Sequence, residues 1–235
     1  MNAQATPSNN VRHVEVAIAG AGFGGLAMAI QLQKHGMNDY LILEKKGEVG
    51  GTWRDNHYPG AACDVQSHMY SFSFETKSDW SKRYAPWHEI QQYILDTVKK
   101  YRLREKILFN QEVDSAVFNE GIGKWVIKTM GGETIIARHW VLASGPLHVP
   151  AIPEIKGLDT FKGKVMHSAE WDHSYQLKGK KVASIGTGGS AIQYVPEIAP
   201  DVAQLHVFQR TPAWVIPRDE RSYSALRKWT FKALP

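Results

Sequence analysis

Cysteine is nearly absent: Cys63 is the only one in 235 residues. No intrachain disulfide can form, no thiol pair is available for dithiol redox chemistry, and a reducing compartment is favoured. Long apolar runs are also absent, and none approaches the ~20 residues that a membrane-spanning helix needs. The opening MNAQATPSNN has neither a positive segment nor an apolar core, so no signal peptide is read there. Neither a Lys/Arg run nor a zinc-ligand spacing is found. A net charge of +5 is too mild to call for nucleic acid and suits phosphate-bearing small molecules equally well. The sequence therefore predicts a cytoplasmic chain with no metal, no nucleic acid and no membrane among its partners. What it does have is an ordinary globular composition, 43% hydrophobic and 22% charged.

Residues 1–12 read as a disordered polar tail. Val14 to Ala19 is a short apolar run of buried-strand type, followed by a helical pattern from Gly24 to about His35 with Gly36 as its stop. Tyr40 to Leu43 is a second strand, completing a βαβ unit. Residues 46–67, rich in Gly, Pro, Asp and Asn, form a long functional loop. His88 to Tyr101 has helical spacing. Residues 107–143 read as a meander with strands at 113–118, 125–129, 134–137 and 140–143. The prolines of 146–157 mark a crossing to a second domain, where a strand (182–185), a helix (190–198) and a strand (205–208) repeat the βαβ pattern. The expected organisation is a domain over 13–148 and another, incomplete, over 149–235.

The repeat carries two glycine fingerprints. In Gly20-Ala21-Gly22-Phe23-Gly24-Gly25 the glycines allow a tight turn, close approach to a pyrophosphate and close helix–strand packing. The helix N-terminus then offers free N–H groups to phosphate. Glu44, 24 residues after Gly20, can accept from ribose hydroxyls and would repel a 2′-phosphate, so FAD or NAD is expected here. The second fingerprint, Gly186-Thr187-Gly188-Gly189-Ser190-Ala191, is the GxGxxA variant. Counting 24 residues from Gly186 gives Arg210, followed by Thr211. An arginine at that station clamps a 2′-phosphate, so NADPH is expected. Two such sites of opposite charge preference describe a flavoprotein with an α/β fold of two Rossmann-like dinucleotide-binding units, FAD then NADP, with a β-meander insertion.

Between the units runs Phe161-Lys162-Gly163-Lys164-Val165-Met166-His167-Ser168-Ala169-Glu170-Trp171-Asp172. This resembles the fingerprint of the flavin-dependent Baeyer–Villiger monooxygenases, FxGxxxHxxxW followed by Pro or Asp. The stretch Gly50-Gly51-Thr52-Trp53 to Tyr58-Pro59-Gly60-Ala61-Ala62-Cys63-Asp64 is similar to the family's [AG]GxW…[FY]PGxxxD segment. Many relatives have arginine two residues before the Asp, where this chain has Ala62. The resemblance covers residues 14–217. It implies that Thr52 and Trp53 meet the ribityl and phosphate part of FAD, that Tyr70 and Val113 also contact cofactor, and that Asp64 orients a catalytic arginine. It implies that His167 couples domain movement to catalysis. Asp64 also stands alone among Ala61, Ala62, Cys63 and Val65, which reads as a costly buried acid retained for function.

The resemblance implies an NADPH-dependent reduction of FAD and the insertion of one oxygen atom of dioxygen beside a ketone carbonyl, giving an ester or lactone. The family's catalytic arginine has no match here, and the second unit has only its first βαβ. The chain thus reads either as a fragment or as one piece of a split enzyme whose missing half a second polypeptide supplies, and in both cases as binding cofactor weakly and not oxygenating ketones alone. Two alternatives stay open: a flavin monooxygenase acting on N or S centres, and a truncated flavin-binding module without its own activity. A disulfide reductase is excluded because Cys63 has no partner thiol.

Overall fold

The computed structural model describes residues 11–147, 149–212 and 214–234. Eight strands and five α-helices are found among them. They are β1 (Val11–Ala19), α1 (Phe23–Lys34), β2 (Tyr40–Glu44), α2 (Thr52–Asp55), α3 (Trp87–Lys100), β3 (Ile107–Phe109), β4 (Val113–Asn119), β5 (Lys124–Thr129), β6 (Thr134–Leu142), β7 (Lys181–Ile185), α4 (Ala191–Ile198), β8 (Gln204–Phe208) and α5 (Ala225–Ala233). The chain divides into two compact units, one of Met1–Arg54 with Ile94–His148, the other of Asp55–Tyr93 with Val149–Pro235. The loop after α2 therefore belongs with the second unit and not with the sequence stretch that flanks it.

The first unit is built on a mixed six-stranded sheet of order β3-β2-β1-β6-β5-β4. β1 pairs in parallel with β2 and β6, and β2 with β3, whereas β4, β5 and β6 are antiparallel. β1 is central because its C-terminal half is apolar on both faces, as a strand covered on both sides requires. One face buries Ala17, Leu41, Leu43, Ile127, Ile135 and Ala137 together. Ile18 points to the other face, where it lies under the start of α1. Leu26, Ala29 and Ile30 form the buried stripe of α1, at the spacing of one helical face. The helix stops as expected. Gly36 takes φ +79, its N–H reaches Gln33 O, and that of Met37 reaches Leu32 O at 2.9 Å, the two bonds of a Schellman ending.

Three expectations need correction. Val11 and Arg12, assigned to the tail, pair with Thr134 and Ile135 in β1; residues 1–10 lie outside the described residues. The strands expected at 134–137 and 140–143 are one continuous strand, β6, because its whole length is paired with β1. Residues 107–109 are no part of the meander; they extend the parallel side of the sheet beyond β2.

In the second unit, β7 and β8 make a two-stranded parallel sheet, with Ile185 opposite Phe208. Ile185, Val207 and Phe208 are exposed. α4 contains Pro196, which lacks the N–H that would return to Ile192, and the helix ends two residues later. No helix among the described residues is long and apolar enough to cross a membrane.

Candidate functional site

Both fingerprints form the same turn. Gly20 leaves β1 with φ +98 and Gly186 leaves β7 with φ +98, a conformation that glycine adopts freely. The N–H of Gly20 donates to Leu43 O at 2.8 Å and that of Gly186 to Phe208 O at 2.9 Å. Each turn feeds a helix, α1 or α4, whose N-terminus has no side-chain cap. The positive ends of the two helices are thereby left for an anion.

The first turn is tightly enclosed. A Cβ on Gly20 would lie 2.6 Å from Ala143 O, and one on Gly25 only 1.9 Å from Gly20 O. Glycine is dictated at both positions by the protein's own backbone. Gly22 and Phe23 open α1, and the Gly50–Gly51 turn is pinned beside them. The N–H of Gly50 donates to Ala21 O at 3.0 Å, and a Cβ on Gly51 would come within 3.3 Å of Gly22 Cα. Thr52 and the buried Trp53, which follow in α2, are thus held next to the fingerprint.

Glu44 ends β2 and is 4% exposed. Its Oε2 accepts from the N–H of Ala21 at 2.9 Å, and its Oε1 from the N–H of Lys46 and the guanidinium of Arg54, both at 2.9 Å. A carboxylate has about four lone-pair directions, so one remains for a ribose hydroxyl. Arg54 was not singled out by the sequence. It also donates to Glu48 O at 2.5 Å, so its guanidinium is fixed at two points. Val113 begins β4 and packs against the sheet core. The preceding residues join it to the same strand end, with Gln111 N–H on Glu44 O at 2.9 Å and Asn110 N–H on Lys46 O at 3.1 Å.

The second turn is open. A Cβ on Gly186, Gly188 or Gly189 would meet nothing within 4 Å among the described residues. Strand register also corrects the counting argument for Arg210. Ala19 faces Leu43 and Ile185 faces Phe208, so the residue at Glu44's station is Gln209, and Arg210 is one residue further on. A fixed count of 24 fails because the second βαβ crossing is one residue shorter. Gln209 behaves as Glu44 does: its Nε2 donates to Thr187 Oγ1 at 3.1 Å, reaching the residue after the first glycine. Arg210 and Thr211 are exposed, and no partner of the Arg210 guanidinium is found among the described residues.

The sequence matches the family described as pyridine nucleotide-disulphide oxidoreductase over residues 17–234. The chain belongs to this family, as a relative of the Baeyer–Villiger monooxygenases. It is 49% identical over 235 residues to a Baeyer–Villiger monooxygenase of Pseudomonas aeruginosa, covering 100% of this chain and 44% of that protein. A closed crystal structure of cyclohexanone monooxygenase is 35% identical with a TM-score of 0.88, over 95% of this chain and 43% of that one. An oxidized steroid monooxygenase bound to NADP is 37% identical with a TM-score of 0.87, over 94% and 43%. The chain thus spans less than half the length of these relatives.

The segment that the sequence likened to Baeyer–Villiger monooxygenases folds around α4. Tyr58 donates to Gln193 Oε1 at 2.9 Å, and the Gln193 amide grips Ala62 at both N–H and C=O. Gly60, at φ +74, sits so close that a Cβ would meet Glu197 Cγ at 2.7 Å. Trp171 packs on Tyr194 with ring centroids 5.3 Å apart, and Tyr194 is tied to Ser184 of β7 at 2.8 Å. Gln193 and Tyr194 were not singled out by the sequence. Their spacing from the fingerprint is ordinary, and only the fold shows what they hold.

His167 caps a short turn, its Nδ1 accepting from the N–H of Ala169 at 3.1 Å. That places the ring in a structural task, with its proton on Nε2. Asp172 accepts from Lys164 Nζ at 2.7 Å and from the Ser174 N–H and hydroxyl. The Lys164 bond first, and the Ser174 bonds next, hold the Asp172 carboxyl down at about 2. Asp64 is exposed and is not the buried acid that its apolar neighbours suggested: the adjacent Cys63 faces the interior, and Asp64 faces solvent. Burial pushes the Cys63 thiol up to about 11, with the Asp64 charge adding to the shift. At neutral pH Cys63 is a protonated, hidden thiol. Tyr70 ends the 3-10 turn Ser67–Met69 in the second unit and is half-buried.

Proposed function

We propose that this chain forms the FAD- and NADPH-holding part of a Baeyer–Villiger monooxygenase, which inserts one oxygen atom of dioxygen next to a ketone carbonyl. One observation carries the reading. The same glycine turn, helix start and strand end occur twice, and the polar side chain that braces the turn is an anion the first time and a neutral amide followed by arginine the second.

FAD, when bound, supplies the redox chemistry, and the protein's task is to hold and orient. In the first unit the N–H groups at Gly22 and Phe23 face the pyrophosphate, and the glycines at 20 and 25 let the backbone come close. Glu44 accepts from the ribose, while Thr52, Trp53 and Val113 line the remaining length. In the second unit Gly186, Thr187, Gly188, Ser190 and Ala191 cradle the NADPH pyrophosphate, and Arg210 with Thr211 takes the 2′-phosphate. Asp64 and Tyr70 belong to this unit's share of the cofactor surroundings. His167 acts by positioning the fingerprint segment and transfers no proton. Trp171 and Asp172 complete the Baeyer–Villiger pattern in preference to that of N- or S-oxygenating relatives.

The test begins with FAD fluorescence and visible absorption as purified chain is added, followed by anaerobic addition of NADPH or NADH. Quenching and shifted flavin bands, bleached by NADPH and much more slowly by NADH, are the expected result. A flavin spectrum untouched by excess protein would overturn the assignment of the first site. With a second polypeptide supplying the missing half, a ketone and a sulfide offered together separate the branches, since oxygenation of the sulfide alone would overturn the Baeyer–Villiger reading.

A further inference from the structure

We infer that Gln209 is a specificity-determining residue of the second nucleotide site, admitting a 2′-phosphate by bracing the glycine turn without a carboxylate. The inference rests on the reading of that site as the one for NADPH. Three observations fix the equivalence of Gln209 and Glu44. Gly20 and Gly186 share φ +98. Each donates its N–H to the carbonyl of the residue that pairs with the end of its own strand, Leu43 opposite Ala19 or Phe208 opposite Ile185. The next residue in each case turns its side chain back to the second residue of the fingerprint, Glu44 to Ala21 N–H at 2.9 Å and Gln209 to Thr187 Oγ1 at 3.1 Å.

The chemistry of the two braces differs in one respect that a nucleotide would feel. The Glu44 carboxylate has only acceptors, which suits a ribose hydroxyl and repels a phosphate. The Gln209 amide spends one N–H on Thr187 and keeps a second N–H for a phosphate oxygen or hydroxyl. The Thr187 hydroxyl takes over the role of the Ala21 N–H in the first unit, so an amide donor can do the bracing that an acid does there. Arg210, one residue on, adds the attractive charge. Selection in this site thus has two parts: an anion withheld at 209 and a cation supplied at 210.

Equilibrium binding of NADP+ and NAD+, read by calorimetry, tests this on the wild-type chain and on Gln209→Glu, Gln209→Met and Arg210→Ala. Gln209→Glu keeps the shape and the Thr187 contact while adding a charge. It should weaken NADP+ by about tenfold or more, as expected of a like charge a few ångströms away, and leave NAD+ unchanged or tighter. Gln209→Met should keep most of the NADP+ preference. Arg210→Ala should weaken NADP+ without any gain for NAD+. An unchanged preference in Gln209→Glu, or an equal loss in Gln209→Met, would overturn the role of Gln209 while leaving the site assignment intact. A wild-type chain that binds neither nucleotide, or both alike, would overturn the assignment itself.

Discussion

Adding one methyl group to Gly25 should damage the fold, whereas adding one to Gly188 should leave the fold alone and damage only ligand binding. At Gly25 the new Cβ would lie 1.9 Å from Gly20 O, 3.1 Å from Gly20 C and 3.4 Å from the Ile18 Cγ2. The first contact must open by on the order of 1 Å, and the groups that would move are the backbone of the turn and of a buried helix start. Overpacking of this kind costs about 1–3 kcal/mol or more. About 1 kcal/mol returns because alanine is the better helix former. With a net loss near 2 kcal/mol, a chain of this size should melt about 4–8 °C lower. Gly188 has a φ outside the left-handed region and no atom within 4 Å of its Cβ position among the described residues, so Gly188→Ala should melt with the wild type. Its methyl group would instead stand where the backbone meets a pyrophosphate, so NADP+ affinity should fall by about tenfold. Thermal unfolding followed by circular dichroism and NADP+ calorimetry on both variants decide the matter. If Gly25→Ala melts within about 1 °C of the wild type, or if Gly188→Ala melts lower and binds NADP+ normally, the reasoning is wrong.

Three further outcomes follow from the contacts. Glu44→Ala strips the acceptor from two backbone N–H groups and from Arg54, so urea denaturation should show a loss of about 3 kcal/mol; Glu44→Gln, which keeps an acceptor, should lose less. Asp172 titrates at about 2 in the folded chain against 3.8 unperturbed, so its depressed pKa contributes stability that is complete above the unperturbed value and is lost as pH falls toward 2. Lys164→Ala removes the largest cause and should raise the Asp172 pKa in a carboxyl NMR titration; an unmoved pKa would show that the lysine is not what holds it. Gln193→Ala should speed hydrogen exchange at the amides of 58–62, above all at Ala62, because that residue loses both of its bonds to the Gln193 amide; exchange unchanged there would mean that the loop is held by other means.

Much of this architecture was legible in the sequence because its causes are local. A glycine that must take φ +98 after an apolar run, with a helical pattern following, reveals a turn wherever it occurs. Both fingerprints, Glu44 at the end of β2, and the limits of α1 and α4 to within a residue or so were therefore readable from residue order. So was the likeness to Baeyer–Villiger monooxygenases, which rests on several spaced motifs.

What the tertiary structure alone decided is set by groups distant in sequence. Arg54 meets Glu44 because the Gly50–Gly51 turn packs onto the fingerprint. β6 runs unbroken because its partner β1 begins at Val11. Asp64 faces solvent because Cys63 takes the interior. The station of Glu44 falls on Gln209 because strand register, and not residue count, fixes which side chain turns back to the glycine turn. Residue order records which conformations each position allows. Pairing between distant strands and loops selects among them, because hydrogen-bond register and close packing are satisfied only when the whole unit is assembled.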